Sequence, residues 1–223
     1  MFPSGKVIHV VRDPRNVLAS FKKVTYVPEP AYLSSIFNCR GSMQLGLEYK
    51  KRFDATCYYL VKYEDLIASP ESTLLELFNF LELTPDHDLL SEEGWCDPWG
   101  NPWHHNSAYL SAEAQGADFD KQASVSSWKN NLSSLEIALC ESIIANLMED
   151  YSYLRSGKIE SWPTMLAPIL SNDTLTGYLR RWSADGTGVE AFPSDPLVPA
   201  NWGENVQIRH MLSEEVIDEF RED

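Results

Sequence analysis

The chain reads as an α/β fold built on a parallel sheet. Two short runs rich in β-branched and aromatic residues, near 6–11 and 57–61, have the composition of strands. The long stretch between them has helical spacing, and a connection of that kind joins parallel neighbours, whereas antiparallel strands need only a tight turn. Two strands are too few to cover a parallel sheet, so more of the sheet is expected from an N-terminal half outside this sequence.

The first element is Lys6-Val7-Ile8-His9-Val10-Val11, a nearly continuous apolar run that suits a strand buried on both faces. Asp13 follows as an N-cap with Pro14 at the first helical position, opening a helix near 14–24 whose apolar residues are Val17, Leu18 and Phe21. Arg12 stands just before that helix, where the dipole and free N–H groups favour an anion, and Ser20 lies eight residues further on. A guanidinium there can grip phosphate oxygens through parallel donors. The bland alternative pairs Arg12 with Asp13 or another carboxylate and leaves Ser20 on a helix surface.

A second helix is expected near 31–53. The strand near 57–61 then ends in the polar turn Tyr63-Glu64-Asp65-Leu66, and Leu74, Leu75, Leu77, Phe78, Phe80 and Leu81 mark a helix over 70–82. Ser133 and Glu136 form a capping box for a helix over 134–151. From residue 156 to 223 the character changes to tryptophans and Gly/Pro turns, read as a partly irregular appendage ending in an acidic helix near 213–221. The domain division is therefore 1–155 and 156–223.

The net charge of −15 argues against nucleic acid as a partner. Its distribution says more. Residues 1–52 hold nine Lys/Arg and three Asp/Glu, a net of +6, while the rest carries −21. Lys6, Arg12, Arg15, Lys22 and Lys23 gather around the Asp-Pro turn, either as a focus for a small polyanion or as an ordinary solvated helix face.

Four segments in order carry a resemblance: Arg12-Asp13-Pro14-Arg15 through Ser20, Tyr63-Glu64-Asp65-Leu66, Asn106-Ser107 and Trp128-Lys129-Asn130. Over residues 5 to about 153 the chain resembles the C-terminal portion of sulfotransferases that use 3′-phosphoadenosine-5′-phosphosulfate (PAPS). The resemblance implies a partial P-loop-like three-layer fold, mostly helical in this piece. It implies that Arg12 and Ser20 bind the 3′-phosphate and that Tyr63 contacts the adenine side. Ser127, Trp128 and Lys129 then close over the nucleotide, with PAPS or its product PAP as co-substrate and no metal. The family's Pro-Lys-Ser-Gly-Thr-Thr-type loop, which holds the 5′-phosphosulfate, normally lies well upstream of the Arg-Asp-Pro motif. Pro3-Ser4-Gly5-Lys6 precedes a strand, whereas a phosphate-cradling loop follows one, so it is read as a turn. The sulfuryl-holding half and the catalytic base are therefore expected upstream of this chain. Ser127 is a second departure, since many members place a basic residue there.

Trp95-Cys96-Asp97-Pro98-Trp99-Gly100-Asn101-Pro102-Trp103-His104-His105-Asn106 describes a structured loop. By its place in the family it lies near the acceptor, with Trp103, His105 and Asn106 as candidate contacts. Packing of its tryptophans on the core is the other reading. Cys96, His104 and His105 lack a second pair at ligand spacing, so no metal site is expected. Cys57 and Cys140 read as buried thiols. No apolar run approaches the ~20 residues of a membrane span, and no signal-peptide pattern opens the chain.

The resulting expectation is a fragment of an enzyme that moves a sulfuryl group from PAPS to a hydroxyl or amine of a small-molecule, lipid or carbohydrate acceptor, incomplete and inactive alone. The alternatives are a non-catalytic remnant or binding module, and one half of a split enzyme. A cytoplasmic location is the default, with the Golgi lumen open if an upstream segment carries an anchor.

Overall fold

The computed structural model describes residues 5–23, 29–85, 87–90 and 120–185. Strands β1 (Val7–Val11) and β2 (Tyr58–Lys62) pair in parallel, Val7 opposite Tyr58 and Val11 opposite Lys62. Between them run α1 (Pro14–Lys23), a short 3-10 turn at Ala31–Leu33, and α2 (Ser34–Arg52). The parallel α/β arrangement expected from the spacing is what forms.

Beyond β2 come α3 (Tyr63–Ala68), α4 (Pro70–Leu81) and α5 (His87–Leu90). Then follow α6 (Lys121–Ser126), α7 (Trp128–Asn131), α8 (Ser134–Ile144) and α9 (Asn146–Asp150). Finally α10 (Trp162–Leu170) and α11 (Asp173–Asp185) close the described part. The core lies where α1, α2 and α8 meet, around Leu18, Ile36, Phe37, Leu139, Ile143, Ile144 and Met148, all essentially without solvent contact. Gly46 lets α2 lie close to its neighbours: a Cβ there would meet the Tyr151 hydroxyl at 2.5 Å and the His9 ring at 3.3 Å.

Three expectations change. β1 is not buried on both faces, because α2 packs on the side of His9 and Val11 while Val10, on the other side, is 56% exposed. The Tyr63-Glu64-Asp65-Leu66 turn is the opening of helix α3, with Glu64 and Asp65 in its first turn, where carboxylates suit the dipole. The helix expected over 134–151 breaks at Ala145, whose backbone (φ 43°, ψ −112°) cannot continue an α-helix. The capping box that starts it is present in full, with Ser133 Oγ accepting from the Glu136 N–H and Glu136 Oε2 accepting from the Ser133 N–H. Past residue 155 the described part of the chain continues with α10 and α11. Met165, Ile169 and Leu175 of α10 and α11 enter the same core, and Trp162 lies against Trp182. The helix expected at 213–221 lies outside the described residues.

Cys140 is buried as expected, whereas Cys57 is half-buried with its thiol donating to the Asp54 carbonyl. Among the described residues no helix is long and apolar enough to cross a membrane.

Candidate anion-binding site

The site grows from the end of β1. Asp13 caps α1 as its position predicts, Oδ1 accepting from the Arg15 N–H at 2.9 Å. The Asp13 carbonyl accepts from the Asn16 and Val17 N–H groups, so the first turn of α1 has no spare donors for an anion. An anion at this point is therefore a matter for side chains, above all Arg12.

Arg12 does not pair with Asp13. Its guanidinium lies 4.5 Å from the Tyr63 ring centroid, a cation–π contact, and Nη2 donates to the Ser124 carbonyl. Its Nε is buried and has no hydrogen-bond partner. Buried donors are almost always satisfied, so an orphan one on a charged group is a place for a ligand atom.

Arg15 is the residue that takes Asp13. Its Nε and Nη2 donate to the Asp13 carboxylate at 3.0 and 2.7 Å, and Nη1 donates to Glu141 at 2.7 Å. The guanidinium also stacks 3.9 Å from the Trp128 ring centroid. Burial works against its charge, but hydrogen bonds and attraction from Asp13 and Glu141 more than offset that and push its pKa up. Lys22 likewise pairs with Glu136 at 2.8 Å, and Lys6 with Glu82 at 2.9 Å. The basic island of the sequence is thus largely neutralised within the fold.

Glu64 joins the two halves of the site. Oε1 accepts from the Asp13 backbone N–H and Oε2 from the Tyr153 hydroxyl, each at 2.8 Å. Burial first, and then the Glu64 charge, hold the Tyr153 phenol neutral far above its ordinary range. Asn16, fully buried, ties α1 to the segment before Trp128. Its Nδ2 donates to the Val125 carbonyl at 2.6 Å, and its Oδ1 accepts from Ser127 Oγ and the Trp128 N–H, both at 3.3 Å.

The structure therefore brings Arg12, Tyr63, Ser127 and Trp128 into one connected region. Ser20 is exposed one turn beyond Asn16 on the same side of α1, and Lys129 is exposed with Nζ 5.7 Å from the Trp128 ring centroid. Trp103, His105 and Asn106 lie outside the described residues, with Cys96 and His104. Asn16, Glu64 and Tyr153 were not legible as site residues.

A family model described as the sulfotransferase family matches residues 1–88, which hold β1, Arg12, Ser20 and Tyr63. Carbohydrate sulfotransferase 1 of Danio rerio is 23% identical over 194 residues, covering 78% of this chain and 44% of that protein. The chain thus spans less than half the length of that curated relative. A solved sulfotransferase domain from the curacin biosynthetic pathway superposes with a TM-score of 0.51 at 21% identity, covering 69% of this chain and 56% of that one. That likeness concerns the fold. The segment matched by the sulfotransferase family model holds the strand, the Asp-capped helix and the opening of α3, and the fold is shared with a solved sulfotransferase domain.

Proposed function

We propose that this chain carries the 3′-phosphate side of a PAPS-dependent sulfotransferase. The observation that carries the reading is Arg12: a guanidinium at the strand end, steadied on Tyr63, with a buried Nε lacking a partner while its cationic neighbours Arg15, Lys22 and Lys6 are in ion pairs. A phosphate oxygen fits that donor, and the dry, aromatic-backed setting strengthens the contact.

The resemblance of the motifs supports the following division of labour. Arg12 and Ser20 hold the 3′-phosphate, with Lys129 adding charge from the exposed side. Tyr63 fixes the plane of the Arg12 guanidinium and faces the adenine side. Ser127 and Trp128 close the segment over the nucleotide, with one face of the indole already engaged by Arg15. When bound, PAPS supplies the sulfuryl group that is transferred. The acceptor is a carbohydrate or another small molecule bearing a hydroxyl or amine, a reading supported by the carbohydrate sulfotransferase relative.

The test is calorimetric titration of the 223-residue chain with PAP and with adenosine 5′-phosphate, which lacks the 3′-phosphate. PAP should bind more tightly, and Arg12→Ala should lower that preference about 10- to 100-fold, the worth of one or two charge-assisted hydrogen bonds. Equal affinity of the wild type for both nucleotides would overturn the reading and favour a binding module that has lost the nucleotide.

A further inference from the structure

Asn16 presents an arrangement that the nucleotide reading leaves unused. Its amide is fully buried, and both ends are committed to one short segment, Val125 to Trp128. The direction of the amide is set by its partners: a carbonyl demands the NH₂ end, and a backbone N–H demands the oxygen. Arg12 grips the same segment one residue earlier, at the Ser124 carbonyl. The strand end and the helix start therefore hold residues 124–128 at two points, and a rigid two-point hold fixes the register of the segment.

The three bonds are unequal. The one to Val125 is short at 2.6 Å, while the Ser127 hydroxyl reaches Oδ1 at 3.3 Å. A serine hydroxyl has a single proton to give. Ser127 can turn that proton from Asn16 to an incoming phosphate oxygen, because the Trp128 N–H keeps Oδ1 satisfied. Asn16 thus holds the Ser127 hydroxyl, three residues beyond the carbonyl that Arg12 grips, without locking it.

We propose that Asn16 is a positioning residue for 3′-phosphate recognition: it acts through Ser127 and the Trp128 backbone, setting them against Arg12, and does not itself touch the ligand. The proposal rests on the 3′-phosphate reading above and deepens it.

The test uses the full chain with PAP and adenosine 5′-phosphate as probes, and reads the ratio of the two affinities. Asn16→Ala should lower the preference for PAP about tenfold, the worth of the hydrogen bonds it removes, and leave the affinity for adenosine 5′-phosphate within about twofold of wild type. Asn16→Asp is isosteric and keeps the acceptor end, but sets an oxygen against the Val125 carbonyl. It should lower the preference about threefold, between wild type and alanine. A residue serving the fold alone would lower the melting temperature and weaken both nucleotides alike, so a proportional loss overturns the proposal. So does an unchanged ratio in Asn16→Ala, or in Asn16→Asp should the alanine variant fail to fold. A wild-type chain without any preference for PAP, or a preference that survives Arg12→Ala, overturns the 3′-phosphate reading itself and this proposal with it. A preference lost in Arg12→Ala but kept in both Asn16 variants overturns the positioning role alone.

Discussion

Arg12 and Arg15 stand one on each side of the Asp13-Pro14 turn and look alike in sequence, yet the fold treats them in opposite ways. Arg15 is 4% exposed, clamped between Asp13 and Glu141 and covered by Trp128. Arg12 is half-buried, rests on Tyr63, makes one bond to a carbonyl and keeps a buried donor without a partner. Every strong donor of Arg15 is spent inside the protein, so it organises the site; Arg12 has capacity left, so it can serve a ligand. In a cluster of cations, the useful one is identified by what its neighbours have failed to neutralise.

The comparison breaks most sharply under truncation. Arg15→Ala leaves the Asp13 and Glu141 carboxylates buried without their cation, and losing one partner of such a cluster typically costs about 3–5 kcal/mol. Denaturant unfolding should register that loss, with nucleotide preference intact in whatever fraction stays folded. Arg12→Ala should do the reverse, costing about 1 kcal/mol of stability at most while removing the preference for PAP. A stability loss of equal size in the two variants would erase the distinction between them.

Glu64 offers an intermediate case, since it serves the organising side through the Asp13 N–H and Tyr153 hydroxyl. Glu64→Gln keeps the shape but turns one acceptor oxygen into an NH₂, which the Asp13 N–H cannot accept and the Tyr153 hydroxyl can accept only by turning its own proton away. The expected cost is about 1–3 kcal/mol, the penalty of one half-buried unsatisfied donor. Tyr153→Phe in the same background should recover part of it if the amide faces the phenol. No recovery would assign the clash to the Asp13 N–H instead.

What could be read from residues alone divides along the same line. The strands, α1, α4 and the Ser133–Glu136 box follow local rules of periodicity and capping, and they formed near their expected bounds. The break at Ala145 carries no Gly or Pro to announce it, and α10 and α11 join the core through contacts that no local pattern encodes. The basic island was legible as composition, but which of its members is paired depends on Glu82, Glu136 and Glu141, each more than 70 positions away. Arg12 was legible as a candidate because the strand–turn–helix places it; Asn16 was not, because its partners are supplied by the α6–α7 junction about 110 residues later.

The smallest expected effect concerns Lys22, a cation between the two extremes. Its partner Glu136 is nearly buried, whereas Lys22 itself is 31% exposed. Burial pulls the Glu136 pKa upward, but hydrogen bonds from Lys22, Tyr32 and Ser133 outweigh it and hold the carboxyl below its ordinary range. The unfolded chain therefore binds this proton more readily than the folded one. The stability from Glu136 is present in full above the ordinary glutamate range and is lost as pH falls through the lower folded value. Lys22→Ala should cost about 1 kcal/mol at neutral pH, the upper end for a partly exposed pair. At a pH where Glu136 is protonated the cost should shrink toward zero, because the lysine then faces a neutral acid and keeps only its approach to the Tyr32 ring. Urea midpoints of wild type and variant at pH 7 and in acid measure both. A cost that does not change with pH would mean that Lys22 contributes through its aliphatic stem, leaving the paired cations of this island with one member fewer.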